Sequence, residues 1–371
     1  MLTMHCKKLT CAFLILLLMI GTATIATAEI KKDVYNWNDF AEAAEARATL
    51  VIIHNNISCT DESKTVVFKN AVTIQSCDGN HFTINGMENQ ILCIQGTSKN
   101  QCLSEWSYVR NLTFKNGDAR TTHSDIYNAG YGGAIFVQGN LHIDNCEFYD
   151  NHAKCGGAVY VDRNLTFCKG KIKDNYATEN GGGIYVADGD VCLCDSEILS
   201  NTAGSAGGGV YIDSQTIVVA GATIHDNTAA ARGGGIFVNA GGFWFIRGSI
   251  YNNNAKKFGG GLYISSGYVE MSNGEFFKNT AKDGAGIYII SGNFRMRGGA
   301  IKNNTATWNG GGIYMQDCVL YIIGGSIAEN EATNGSGGGL CGEYVEMRQL
   351  WEDVFRNNKP DNYIWFLIGG E

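Results

Sequence analysis

Apolar residues along this chain recur in two short bursts every 24 to 28 residues. The first burst follows paired glycines and alternates: Gly132-Gly133-Ala134-Ile135-Phe136-Val137, then GGAVYV from Gly156, GGGIYV from Gly181 and GGGVYI from Gly207. It continues from Gly233, Gly259, Gly284 and Gly310, and ends in a degraded copy, GGGLCG, from Gly337. The second burst has the form φxxN, with φ apolar. Its asparagines are Asn151, Asn175, Asn201, Asn227, Asn253, Asn279, Asn304, Asn330 and Asn358. Ten and eight residues before each of the first eight asparagines stand two further apolar columns, Leu141 with Ile143 in the first copy and Leu320 with Ile322 in the eighth. The residue between them is mixed: Thr166, Cys192, Val218, Trp244, Glu270, Arg295 and Tyr321. That alternation predicts strands with one face inward and one outward.

A helix pair of this length would not hold adjacent glycines and β-branched residues in every copy. Self-similarity at a fixed period marks stacked repeats. The expectation is an all-β, right-handed parallel β-helix (β-solenoid) of about nine regular coils, at roughly 4.8 Å per coil. Upstream, strand-like runs at Leu50–Ile53, Val66–Phe68, Val72–Ile74, Phe82–Ile84 and Leu112–Phe114 predict irregular first coils. Before them Asn38 is read as the N-cap of a short capping helix, with Phe40, Ala43, Ala44 and Arg47 on one face. The domain reading is 1–28 leader, 29–131 N-terminal cap and irregular coils, 132–358 regular repeats, and 359–371 C-terminal cap.

The Asn column is read as an internal amide ladder. The column after each aliphatic residue is Phe136, Tyr160, Tyr185, Tyr211, Phe237, Tyr263, Tyr288 and Tyr314. If the aliphatics face the core, it forms an exterior stack. That stack is either a self-stabilising ladder or a platform for sugar rings or a protein partner. A reversed register would put the rings inside. Cys168 and Cys194 each lie seven residues before their Asn. Adjacent coils bring them within disulfide range, so a bridge and two stacked thiols are both open.

The first 28 residues read as a secretory leader: basic Lys7 and Lys8, an apolar run from Ala12 to Ile20, and Ala26-Thr27-Ala28 as a small-x-small cleavage site. The run is short for a membrane span, so secretion is expected, with no span after cleavage. Of 371 residues, 49 are Gly and one is Pro, and the net charge is −8. High Gly without Pro excludes collagen and suits many tight corners. The acidic balance argues against a nucleic-acid partner. The irregular cysteine spacing contains no CxxC pair, so neither metal nor other cofactor is expected.

The paired signals Gly132-Gly133-Ala134-Ile135 and Phe148-Tyr149-Asp150-Asn151 resemble the repeats of the chlamydial polymorphic outer membrane proteins, over residues 132–358. The resemblance implies a surface-exposed β-helix that adheres to host or neighbouring cells through glycan or surface protein. The long C-terminal β-barrel of those proteins has no counterpart here, so plain secretion or attachment through a partner is expected. The competing reading is a polysaccharide lyase or glycoside hydrolase on a pectin lyase-like scaffold. Such enzymes need a paired carboxylate or base constellation. Asp150, Asp174 and Asp226 precede ladder asparagines, and Asp188 and Asp190 share a turn; all read as solvated edge carboxylates. His142, His152 and His225 read as surface residues. The expectation is therefore a non-enzyme. A structural spacer is the third reading, favoured if the aromatic column is buried.

Overall fold

The structure, a computed structural model, describes residues 29–60, 65–95, 105–120, 130–349 and 352–366. The leader reading lies outside the described residues. Every strand pairing is parallel and joins one coil to the next. In the first regular coil the strands are Ile135–Val137, Asn140–Asp144, Glu147–Tyr149 and the short His152–Cys155. The first three belong to one continuous sheet and the fourth to a separate eight-stranded sheet. The early runs predicted as first coils join the same sheet; Val66–Phe68, for example, pairs with Leu92–Ile94. At the other end Tyr363–Phe366 pairs with Leu340–Glu343, so this part of the segment read as a cap adds another strand.

Three corners per coil explain the repeat. The first glycine of each motif is left-handed, with φ from 59° to 70°. At Gly259 an added Cβ would sit 2.5 Å from the Leu262 carbonyl oxygen, so only Gly fits. The residue before every ladder Asn is also left-handed, φ 52° to 57°, from Asp150 to Asn357. Asp and Asn tolerate that region best, which accounts for Asp150, Asp174 and Asp226. A third corner lies between the second and third strands, at Asn145, Lys169 and Asp195 (φ 52°, 52° and 47°).

The apolar columns ten and eight residues before the first eight ladder asparagines fill the interior and are fully or almost fully buried. The aliphatics of the glycine motif join them, which decides the register: Ile135 and Val137 point in, Phe136 out. The short helix α1 (Trp37–Glu45) closes one end of this core with Trp37, Phe40, Ala43 and Ala44, and Phe40 meets Phe68 with ring centroids 5.8 Å apart. Two details of the predicted helix are corrected. The N-cap is Asn36, whose side chain accepts from Asp39 N at 3.0 Å, while Asp39 accepts from Tyr35 N. This reciprocal capping leaves Asn38 inside the helix. Arg47 lies beyond the helix end, exposed, at φ 53°.

Candidate functional site

The asparagines stack in one line. Each Nδ2 donates to Oδ1 of the Asn one coil on, at 2.9 to 3.1 Å from Asn151 through Asn330. The same Nδ2 donates to the φ carbonyl one coil back, as Asn227 does to Ile198. Each Oδ1 also receives a backbone N–H. Both amide ends are therefore satisfied inside the core, which is a structural role. The stack does not stop at Asn358, because Asn358 Nδ2 donates to Asn362 Oδ1 at 3.0 Å. A second polar ladder went unread in the sequence: Asn164 bonds Asn140, Asp190 N donates to Asn164, and Thr216 N donates to Asp190. Its signal is a polar residue eleven before each of the first four ladder asparagines, Asn140, Asn164, Asp190 and Thr216. Asp190 is thus a ladder acceptor rather than a solvated carboxylate.

The aromatic column departs from the expectation of an open strip. It lies outside the core, ring on ring, at centroid distances of 4.7 to 5.3 Å from Phe136 to Tyr314. Yet Phe136, Phe237, Tyr263, Tyr288 and Tyr314 are buried, Tyr263 to 1%, and only Tyr160, Tyr185 and Tyr211 are half-buried. Each ring covers the faces of its neighbours. Ala206, Phe258 and Ile290 pack alongside, and the Arg232 guanidinium lies 5.5 Å from the Tyr263 ring. Burial raises the tyrosine hydroxyls above their usual range, Tyr211 to about 12, with Asp213 beside it adding to the effect. A self-stacked column has no free ring faces to offer a ligand.

Cys168 and Cys194 form a disulfide, Cα to Cα 4.6 Å, on the outer face of the second strands. Beside it the mixed column is less open than predicted. Thr166, Cys192, Val218 and Glu270 are buried, because residues in register one coil above and below cover them.

Farther along that column the surface changes character. Trp244 is half-buried and lies back over Gly242, whose missing Cβ would stand 3.2 Å from the indole nitrogen. Tyr268 stands 5.5 Å away at a 52° tilt, so these rings do not stack on each other. The Tyr268 hydroxyl donates to Glu270 Oε2, and Arg297 Nε donates to Glu270 Oε1 at 2.7 Å. Arg295 lies over the half-buried Tyr321 ring at 4.8 Å, and its Nε has no partner among the described residues.

A polar cleft follows the corner between second and third strands, lined by Glu147, Lys171, Asp195, Ser196, Glu197 and Thr223 among others. Lys171 Nζ meets Glu197 at 2.6 Å, and Arg247 pairs with Asp195 at 2.8 Å. His225, read as a surface residue, is buried to 8% exposure. It sits between Glu197 and Asp226 at 3.1 and 2.6 Å and stacks on Tyr251. Burial alone would raise the Glu197 carboxyl, but hydrogen bonds from Lys171 and His225 hold it below its ordinary value. A depressed carboxylate stabilises the fold above its unfolded value, and that contribution is lost as pH falls through the folded one. Because Glu197 is 36% exposed, Glu197→Gln should cost less than about 1 kcal/mol at neutral pH. The difference from wild type should vanish in acid; a pH series of urea titrations measures it.

Among the described residues no helix is long and apolar enough to cross a membrane, and no group of three potential ligands could hold a metal ion. The parallel coils, the internal Asn ladder and the apolar interior define a β-solenoid with chemically distinct outer faces. The family model described as right handed beta helix region matches residues 111–276 and 195–344, and the chain belongs to that family. No curated protein and no solved structure matches the chain.

Proposed function

We propose that this chain is a secreted or surface-associated, adhesin-like β-helix that binds partners through the outer face of its second strands and performs no catalysis. The observation that carries this reading is the Trp244–Tyr268–Arg295–Tyr321 surface. Its rings are half-buried and, unlike the tyrosine column, Trp244 and Tyr268 are not self-stacked. Trp, Tyr and Arg are the residue types that dominate binding energy at interfaces. The resemblance to the chlamydial repeat supports the adhesive role. The corner cleft supports the non-catalytic one, because Lys171 and His225 hold Glu197 ionised, whereas a general acid needs its carboxyl raised toward neutrality.

A glycan array and a cell-binding assay on residues 29–371 test the reading. Trp244→Ala with Tyr321→Ala should lower adhesion at least about tenfold, with the circular dichroism spectrum unchanged. Undiminished adhesion by this double variant would falsify the choice of face. The protein should release no reducing ends or unsaturated sugars from pectin, alginate, chondroitin or xylan. Turnover abolished by Glu197→Gln would replace the adhesin reading with an enzyme. The burial of most of the tyrosine column favours one alternative, a structural spacer, for which wild-type protein would bind neither cells nor glycans.

A further inference from the structure

We infer that Arg295 receives a carboxylate from an acidic partner protein. This rests on the binding face just proposed and names the chemistry of what it binds. The argument begins with the neighbouring acid. Glu270 is paired in register with Arg295 one coil on, and would be its natural counter-ion. Yet Glu270 accepts from the Tyr268 hydroxyl and from Arg297 Nε and makes no ion pair with Arg295. The Arg295 guanidinium rests on the Tyr321 ring, and among the described residues its enclosed Nε has no acceptor. An enclosed donor left unpaired is costly. A small turn of the side chain would bring Nε and one Nη side by side onto a carboxylate, the planar two-point match that guanidinium makes and ammonium does not.

The surroundings select the source of that carboxylate. Trp244, Tyr268, Arg295 and Tyr321 all project from one sheet face whose strands run in register. Groups rising from a single plane suit the flat surface of a protein, with an acidic residue set among apolar ones.

The test immobilises the full chain and measures binding of a (Leu-Glu) repeat peptide, the matched neutral (Leu-Gln) peptide and an oligogalacturonate. Wild type should prefer the Glu peptide to the Gln peptide by about tenfold or more. Arg295→Gln should remove that preference without changing Gln-peptide binding. Arg295→Lys, which keeps the charge but not the fork, should recover only part of it. Arg163→Gln, an exposed arginine paired with Asp188, should leave it intact. The inference is overturned if wild type binds both peptides equally, if Arg295→Gln keeps the preference, or if Arg295-dependent binding appears with the oligogalacturonate alone. Trp244→Ala separates the two levels. If it weakens both peptides while Arg295→Gln has no effect, the face stands and the carboxylate falls; if neither variant matters, both fall.

Discussion

Replacing Tyr211, Tyr263 and Tyr288 together by Ser is expected to unfold the middle of the solenoid rather than merely strip a surface. Tyr263 is 1% exposed and Tyr288 7%, and both rings are stacked on aromatic neighbours in the adjoining coils. Truncating one such buried ring costs about 3–5 kcal/mol, and stacked pairs lose about 0.5–1.5 kcal/mol beyond the area term. The net stability of a folded chain is only about 5–15 kcal/mol. Tyr263→Ser alone should therefore lower the urea midpoint visibly, and the triple variant should lose its far-UV β signal. Tyr160→Phe, at a half-buried position, should leave stability within about 0.5 kcal/mol. A triple variant that melts like wild type would show the column to be a surface ornament, and would reopen its role as a binding platform.

Asn227→Ala is the second large effect. The substitution deprives the Asn201 backbone N–H and Nδ2 of their acceptor at 2.9 and 3.0 Å, and the Ile198 carbonyl of a donor. All of these groups lie in a dry interior, so several unsatisfied atoms at about 1–3 kcal/mol each follow from one change. A loss of about 3–5 kcal/mol is expected, measured by equilibrium denaturation. Asn358→Ala removes a similar set of bonds, because Asn362 extends the stack beyond it. Its cost should fall short of that for Asn227 only modestly, in keeping with its slight exposure of 7%. Asn227→Asp also tests the ladder: it keeps the acceptor but loses the donor, and should destabilise more at neutral pH than in acid, where a protonated carboxyl can donate.

The helix at the N-terminal end shows how far sequence reasoning reaches. Its existence and its core-facing Phe40, Ala43 and Ala44 follow from periodicity, but its start does not. Asn36 and Asn38 are equally good caps by residue type, and the choice falls to Asp39, which can answer Asn36 across three residues. The cysteines show the same limit. Phase alone puts Cys168 and Cys194 in neighbouring coils, whereas their joining depends on side-chain approach. His225 looks like a surface histidine because its own strand faces outward. It is enclosed by Glu197 from the coil before and Tyr251 from the coil after.

The sequence by itself determined the period, the parallel coils, the inward columns and the Asn ladder. These depend on backbone rules that act within one repeat: left-handed corners that require Gly at the motif start and favour Asx elsewhere, and an alternation that sends every second side chain inward. Tertiary structure alone decided which outward positions remain open. In a solenoid each outward side chain is covered by the residue in register one coil above and below, roughly 4.8 Å away. A tyrosine between tyrosines disappears into a stack, a threonine or valine beside a disulfide is shielded, and a tryptophan beside a glycine has room to lie down on the surface. The same outward alternation therefore yields a buried spine at Tyr263 and a half-open face at Trp244.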